Sequence, residues 1–153
     1  MASTTFSGPV TSTNGFIGTL TGNVTGNIAG AGSITHATTS AINATATATA
    51  ADVATGYITS TSAGTVTITL PTGTLLGAAL GAAKGTVFDL YVDNTGGAST
   101  VTIAVATNGI LSSGAADTPG SFGDLTVAAG ATGLARFTIM FSSATAYVFT
   151  RTA

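Results

Sequence analysis

Thr65-Val-Thr-Ile-Thr-Leu70 and Val87-Phe-Asp-Leu-Tyr-Val-Asp93 alternate apolar with mostly polar side chains. In an extended chain successive side chains point to opposite faces, so a period of two gathers Val66, Ile68 and Leu70 on one face. Phe88, Leu90 and Val92 gather in the same way, whereas a helix would scatter either set around its circumference. The alternation recurs over 99–106, 125–128, 134–141 and 147–152. It adds Val101, Ile103 and Val105, and Phe137, Ile139 and Phe141, as further inward rows. Asn94-Thr-Gly-Gly97 and Asn108-Gly109 supply turn residues that accept positive φ, and Ser142-Ser-Ala-Thr145 joins the last two strands as a hairpin. The expected fold is all-β, with 55–153 forming a compact antiparallel β-sandwich of jelly-roll type. Residues 75–84, after Pro71, read as a short helix or an irregular crossover at one end of it.

The first third of the chain is different. Residues 1–54 are low in complexity, and before Asp52 their only ionisable groups are the N-terminus and His36. Gly18-Thr-Leu-Thr, Gly22-Asn-Val-Thr and Gly26-Asn-Ile-Ala repeat glycine, polar, branched aliphatic, small. A helix tolerates so much glycine poorly. In an extended chain Leu20, Val24 and Ile28 share one face with the glycines, while Thr19, Thr21, Asn23, Thr25 and Asn27 hydrate the other. Knobs separated by notches suit identical chains that interdigitate. Leu20, Val24 and Ile28 are therefore the expected oligomer contacts of an intertwined trimer, and 1–54 is an extended assembly arm. For 31–54 a flexible linker is the alternative reading, and a short helix within 41–54 is another.

Composition excludes several functions. Only 5% of the residues are charged and the cations are Lys84, Arg136 and Arg151, too few to neutralise a row of phosphates, so nucleic acid is not an expected partner. There is no cysteine, hence no disulfide framework or thiolate metal site. The N-terminus carries no basic-then-apolar leader, and 75–83 falls well short of the roughly 20 apolar residues of a bilayer span, so no membrane association is expected. The expectation is a protein made in a cytoplasm and kept in water by Thr, Ser and Asn rather than by charge.

Catalytic chemistry finds little material. His36 is the sole histidine and has no acidic residue within ten positions to orient it. No serine sits in a nucleophile elbow, and no glycine run ends in the Gly-Lys-Ser/Thr of a phosphate loop. Asp89 and Asp93 flank Tyr91 on one strand face, but residues four apart on a strand are separated by about 13 Å, too far to share an ion or act as a glycosidase pair. They read as a solvated face, with Asp93 accepting from the amides of the turn it opens, or as partners of Arg136 or Arg151 across a subunit boundary. The chain is expected to be no enzyme and to need no cofactor or metal.

Residues 5–18 (Thr5-Phe-Ser-Gly-Pro-Val through Phe16-Ile-Gly18), 70–80 (Leu70-Pro-Thr-Gly-Thr-Leu), 88–97 (Phe88-Asp-Leu-Tyr-Val-Asp-Asn-Thr-Gly-Gly97) and 127–141 resemble stretches of tailed-bacteriophage capsid decoration, or cement, proteins. Together they span roughly half of the chain. The resemblance implies a homotrimer on the outer surface of the virion head that bridges major capsid protein subunits and stabilises the shell. Phe6, Pro9, Val10 and Phe16 are then the apolar capsid contacts of the arm. The glycine repeats also resemble tail-fibre segments, which implies the alternative of a fibre or adhesin component binding a host-surface glycan, with Tyr57, Tyr91 and Tyr147 as candidate sugar contacts.

Overall fold

The computed structural model describes residues 38–111 and 125–152 of the 153-residue chain. In order these form strands β1 (Ser40–Ala41) and β2 (Ala46–Thr47), helix α1 (Ala50–Ala54), strands β3 (Tyr57–Thr59) and β4 (Val66–Thr69), and helix α2 (Gly73–Leu80). Strands β5 (Val87–Asp93), β6 (Val101–Ala104), β7 (Gly109–Leu111), β8 (Thr126–Val127), β9 (Leu134–Ser143) and β10 (Ala146–Arg151) follow. The chain is strand-dominated, as the alternation requires.

The strands form a six-stranded sheet, ordered β1-β3-β5-β9-β10-β7, and a four-stranded sheet, ordered β2-β4-β6-β8. Through β9 the chain changes sheet after every strand. Each return to a sheet follows a passage through the other, so the new strand can run in the same direction as the one it joins. Hence β1–β3, β3–β5, β2–β4 and β4–β6 are parallel, as is β7–β10. The expectation of an antiparallel domain with jelly-roll connections is corrected accordingly: the pairing is mixed. Antiparallel pairing occurs at β5–β9, β6–β8 and the β9–β10 hairpin, whose tip lies within the expected 142–145. Alternation specifies which face of a strand is buried but carries no information about strand direction.

The inward rows are where the pattern puts them. Val66, Ile68, Leu70, Leu90, Val92, Val101, Ile103, Phe137, Ile139 and Phe141 are buried, and Phe88 and Val105 pack half-buried against them in a core shared by both sheets. Phe137 and Phe149 stack with ring centroids 4.9 Å apart. Tyr147 is also fully buried and donates its hydroxyl to the Pro71 carbonyl at 3.0 Å, and burial pushes its phenol up to about 12. It is unavailable as a sugar contact, which corrects that part of the sequence reading.

Buried Asn94, just past β5, ties the two sheets together. Its side-chain amide donates to the carbonyls of Ser99, Val127 and Ala128 at 2.9, 3.1 and 3.0 Å, the last two at the end of β8. In the low dielectric of the interior these bonds are strong, and losing them would strand several backbone acceptors.

Residues 40–54, read from the sequence as the end of the arm, are hydrogen-bonded into the sheets: Ile42 N–H donates to Thr59 O and Ala48 N–H to Thr69 O, both at 2.9 Å. The short helix the sequence allows within 41–54 is α1. The helix expected near 75–84 is α2, which starts two residues earlier because Thr72 caps it, accepting from Leu75 N–H, and ends at Gly81 in the left-handed region (φ 58°). The stretch holding β1 and β2 reads from the sequence as an extended arm rather than as sheet strands, and β3 and β7 are not among the expected strands.

Gly77 on α2 is packed so closely on the β9–β10 turn that a Cβ there would overlap the carbonyl oxygen of Ala144. Substitution Gly77→Ala is expected to cost about 1–3 kcal/mol despite alanine's better helix propensity, measured by urea unfolding. A stabilised variant would show that the helix is not held against the hairpin.

Candidate interaction surfaces

The outer face of the six-stranded sheet is built from the residues that alternate with its core rows. Cross-strand register places Tyr57 beside Tyr91 and Tyr91 beside Arg136, with Asp89 beside Thr138 in the next row. One further row along, Val87 stands beside Met140 and Met140 beside Val148. Val87 and Met140 are 57% and 51% exposed, so an apolar row closes one end of a face that is polar and aromatic at its middle.

Hydrogen bonds hold the polar part. The Tyr57 and Tyr91 rings stack at 6.3 Å, and Tyr57 donates its hydroxyl to Asp93 at 2.9 Å. Thr95 donates both its backbone N–H and its hydroxyl to the same carboxylate, at 2.9 and 2.6 Å. Asp93 thus opens the 94–97 turn as the sequence suggests, and these bonds, the Thr95 hydroxyl foremost, lower its pKa. Asp89 accepts from the Thr138 hydroxyl at 2.8 Å, and Arg136 donates Nε–H to Thr152 at 3.2 Å. Asp89 and Asp93 therefore serve separate hydrogen-bond sets. No group of three or more His, Cys, Asp or Glu side chains able to hold a metal occurs among the described residues.

The outer face of the four-stranded sheet is of another kind. Thr47 stands beside Thr69 and Thr69 beside Ala104; Thr67 stands beside Thr102 and Thr102 beside Thr126. β-Branched hydroxyl side chains suit a half-hydrated pleated surface and need no charge to stay wet.

The third surface is the pair of edges where the described chain begins. Among the described residues β1 ends one sheet and β2 the other. Asp52 braces this corner. Its carboxylate accepts from Thr49 N–H (2.8 Å) and Thr49 Oγ1 (2.6 Å), and from Ser40 Oγ on β1 at 2.7 Å, while Thr49 Oγ1 accepts from Asp52 N–H to complete the capping box of α1. The Thr49 hydroxyl first and Ser40 second lower the Asp52 pKa. Neither β1 nor β2 contains a charge, a proline or a bulge, the features with which proteins usually close a sheet edge.

Most residues that sequence reasoning selected as contacts, namely Phe6, Pro9, Val10, Phe16, Leu20, Val24 and Ile28, lie outside the described residues, as does His36. Tyr57 and Tyr91 are brought together on one face. The Asp52 brace was missed, although Thr49 followed three positions later by Asp52 is the sequence signature of a helix start. Among the described residues no helix is long and apolar enough to cross a membrane. Comparison with protein-family models, curated proteins and solved structures finds no match to this chain.

Asp52 and Asp93 both have lowered pKa values, so each contributes stability that is present above the ordinary carboxylate pKa of about 4 and is lost as pH falls through the folded-state value. Melting temperature is expected to be flat from pH 7 to about 5 and to fall below about 4, with a smaller acid-side fall in Asp52→Asn. An identical acid limb in that variant would show that the brace carries no stability.

Proposed function

We propose that this protein is a structural component of a virion, a non-enzymatic homotrimer that binds the outer surface of a phage capsid and stabilises the head by bridging major capsid protein subunits. In this reading the two sheets stack as a sandwich that forms the body of a small knob, and the start of the arm, with Phe6, Pro9, Val10 and Phe16, provides the apolar contacts to the shell.

The observation that carries the reading is that the strands ending the two sheets where the described chain begins, β1 and β2, hold no charge, proline or bulge. A free-standing protein exposed to its own copies at high concentration is disfavoured with such edges, whereas a protein that works by assembly uses them. The scarcity of charge supports the same view. Threonine-rich surfaces hydrate without ordering long side chains, which suits a chain displayed at high density where like-charge repulsion would oppose close spacing. Many weak contacts repeated over a shell add up to strong attachment.

The alternative of a fibre tip that binds a host-surface glycan is less well supported, because Tyr147 is committed to the core and no tryptophan exists to replace it.

Purified full-length chain added to phage heads that lack it is expected to sediment with them, and a variant without residues 1–17 is expected to remain in the supernatant with an unchanged unfolding midpoint. Equal sedimentation of the two, or of neither, would overturn the assignment.

A further inference from the structure

The turn residues Asn108 and Gly109 lead into β7. Asn108 is exposed and sits in the left-handed region at φ 63°, alone in this among the described residues other than glycine. Its neighbour has to be glycine, because a Cβ at 109 would come within 2.7 Å of the Tyr147 ring. The peptide unit between the two is held at both ends: Tyr147 N–H donates to the Asn108 carbonyl at 3.0 Å, and Gly109 N–H donates to the Ala106 carbonyl at 3.0 Å. An asparagine side-chain amide thus stands in water next to a backbone nitrogen that no Cβ shields, the pairing in which the chain can react with itself.

We infer that Asn108 is a site of spontaneous covalent modification, deamidation through a succinimide, and that the pairing of β7 with β10 gates it. The Gly109 nitrogen attacks Cγ of Asn108, the bond from Cγ to Nδ2 breaks, and the proton lost by the attacking nitrogen leaves with the side-chain amide as ammonia. Water then opens the ring at either carbonyl, leaving aspartate or isoaspartate at position 108, with no oxidant or reductant required. The attack needs a nitrogen able to give up its proton and a peptide plane free to turn toward the side chain. While β7 is paired, the Ala106 carbonyl holds that proton and Tyr147 N–H holds the plane. β7 has three residues and ends its sheet among the described residues, with β10 beside it, so it can leave the sheet without global unfolding. Conversion then prevents its return. An isoaspartyl linkage adds a backbone carbon ahead of the register Gly109–Tyr147, Ile110–Val148 and Leu111–Phe149, and either product adds a negative charge to a chain whose net charge is -2.

The inference does not depend on attachment to a capsid. A second Asn-Gly pair, Asn14-Gly15, lies outside the described residues and serves as a standard in the unfolded chain. Trypsin separates the two, because cleavage after Lys84 and Arg136 releases 85–136. Full-length protein is incubated in mildly alkaline buffer over a series of urea concentrations, and conversion in each fragment is measured by mass spectrometry while circular dichroism reports global unfolding. In unfolding urea Asn108 is expected to convert as fast as Asn14. Without urea it is expected to convert at least about tenfold more slowly than in the unfolded chain, a ratio set by the opening of β7. Its rate is expected to rise at urea concentrations where the circular dichroism is still native. Conversion as fast in the native protein as in the unfolded chain would refute the gate, and a rise that only follows global unfolding would refute its assignment to β7. Failure of Asn108 to convert in the unfolded chain would overturn the site itself.

Discussion

Neither sheet of this protein can bury its apolar face without the other, and that constraint dictates the path of the chain. The strands are short, several of only two to four residues, so a single strand removes little apolar area from water. Crossing to the opposite sheet after each strand lets every pair of strands close over the core as it is added. The consequence is parallel pairing without a helix in every crossover, an arrangement unlike the usual βαβ unit. Asn94 then joins the layers, its two amide N–H donors shared among three backbone carbonyls, and Phe137 and Phe149 stack within the core.

A coil of this kind differs at its two ends. The later end is closed by the β9–β10 hairpin, which pairs antiparallel with β5 and is gripped from above by α2 through Gly73 and Gly77. The earlier end is left with β1 and β2, two residues each, held by main-chain bonds to Thr59 and Thr69 and by the Asp52 carboxylate. A strand at the end of a sheet is where another strand adds at least cost, since its backbone donors and acceptors are already aligned. Residues 1–37, rich in glycine and threonine and without Asp, Glu, Lys or Arg, precede that edge in the sequence.

How much of this was legible in the sequence depends on the kind of information each feature carries. Period-two alternation located the core rows from Val66 to Phe141 almost residue by residue, because burial of one face is a local property of the pattern. It could not distinguish parallel from antiparallel pairing, which depends on where the chain travels between strands. β1 and β2 fall in the stretch read as extended, but their pairing was not legible, because their partners around Ile58 and Ile68 lie far along the chain. Tyr147 looked like a surface aromatic by type, and only its parity with Phe149 could have placed it inside. The Asp93 turn was legible from Asp-Asn-Thr-Gly-Gly, whereas the stacking of Tyr57 on Tyr91 required the β3–β5 register.

The central claim is that the protein works by assembly on a particle, with the folded domain displayed outward and the chain's beginning reaching the shell. Electron cryo-microscopy of the native virion tests it most directly. The account predicts repeated density on the outer head surface at threefold positions, into which the two-sheet domain fits with its β1/β2 end toward the capsid. Density confined to the tail, or a domain oriented with that end facing solvent, would contradict it.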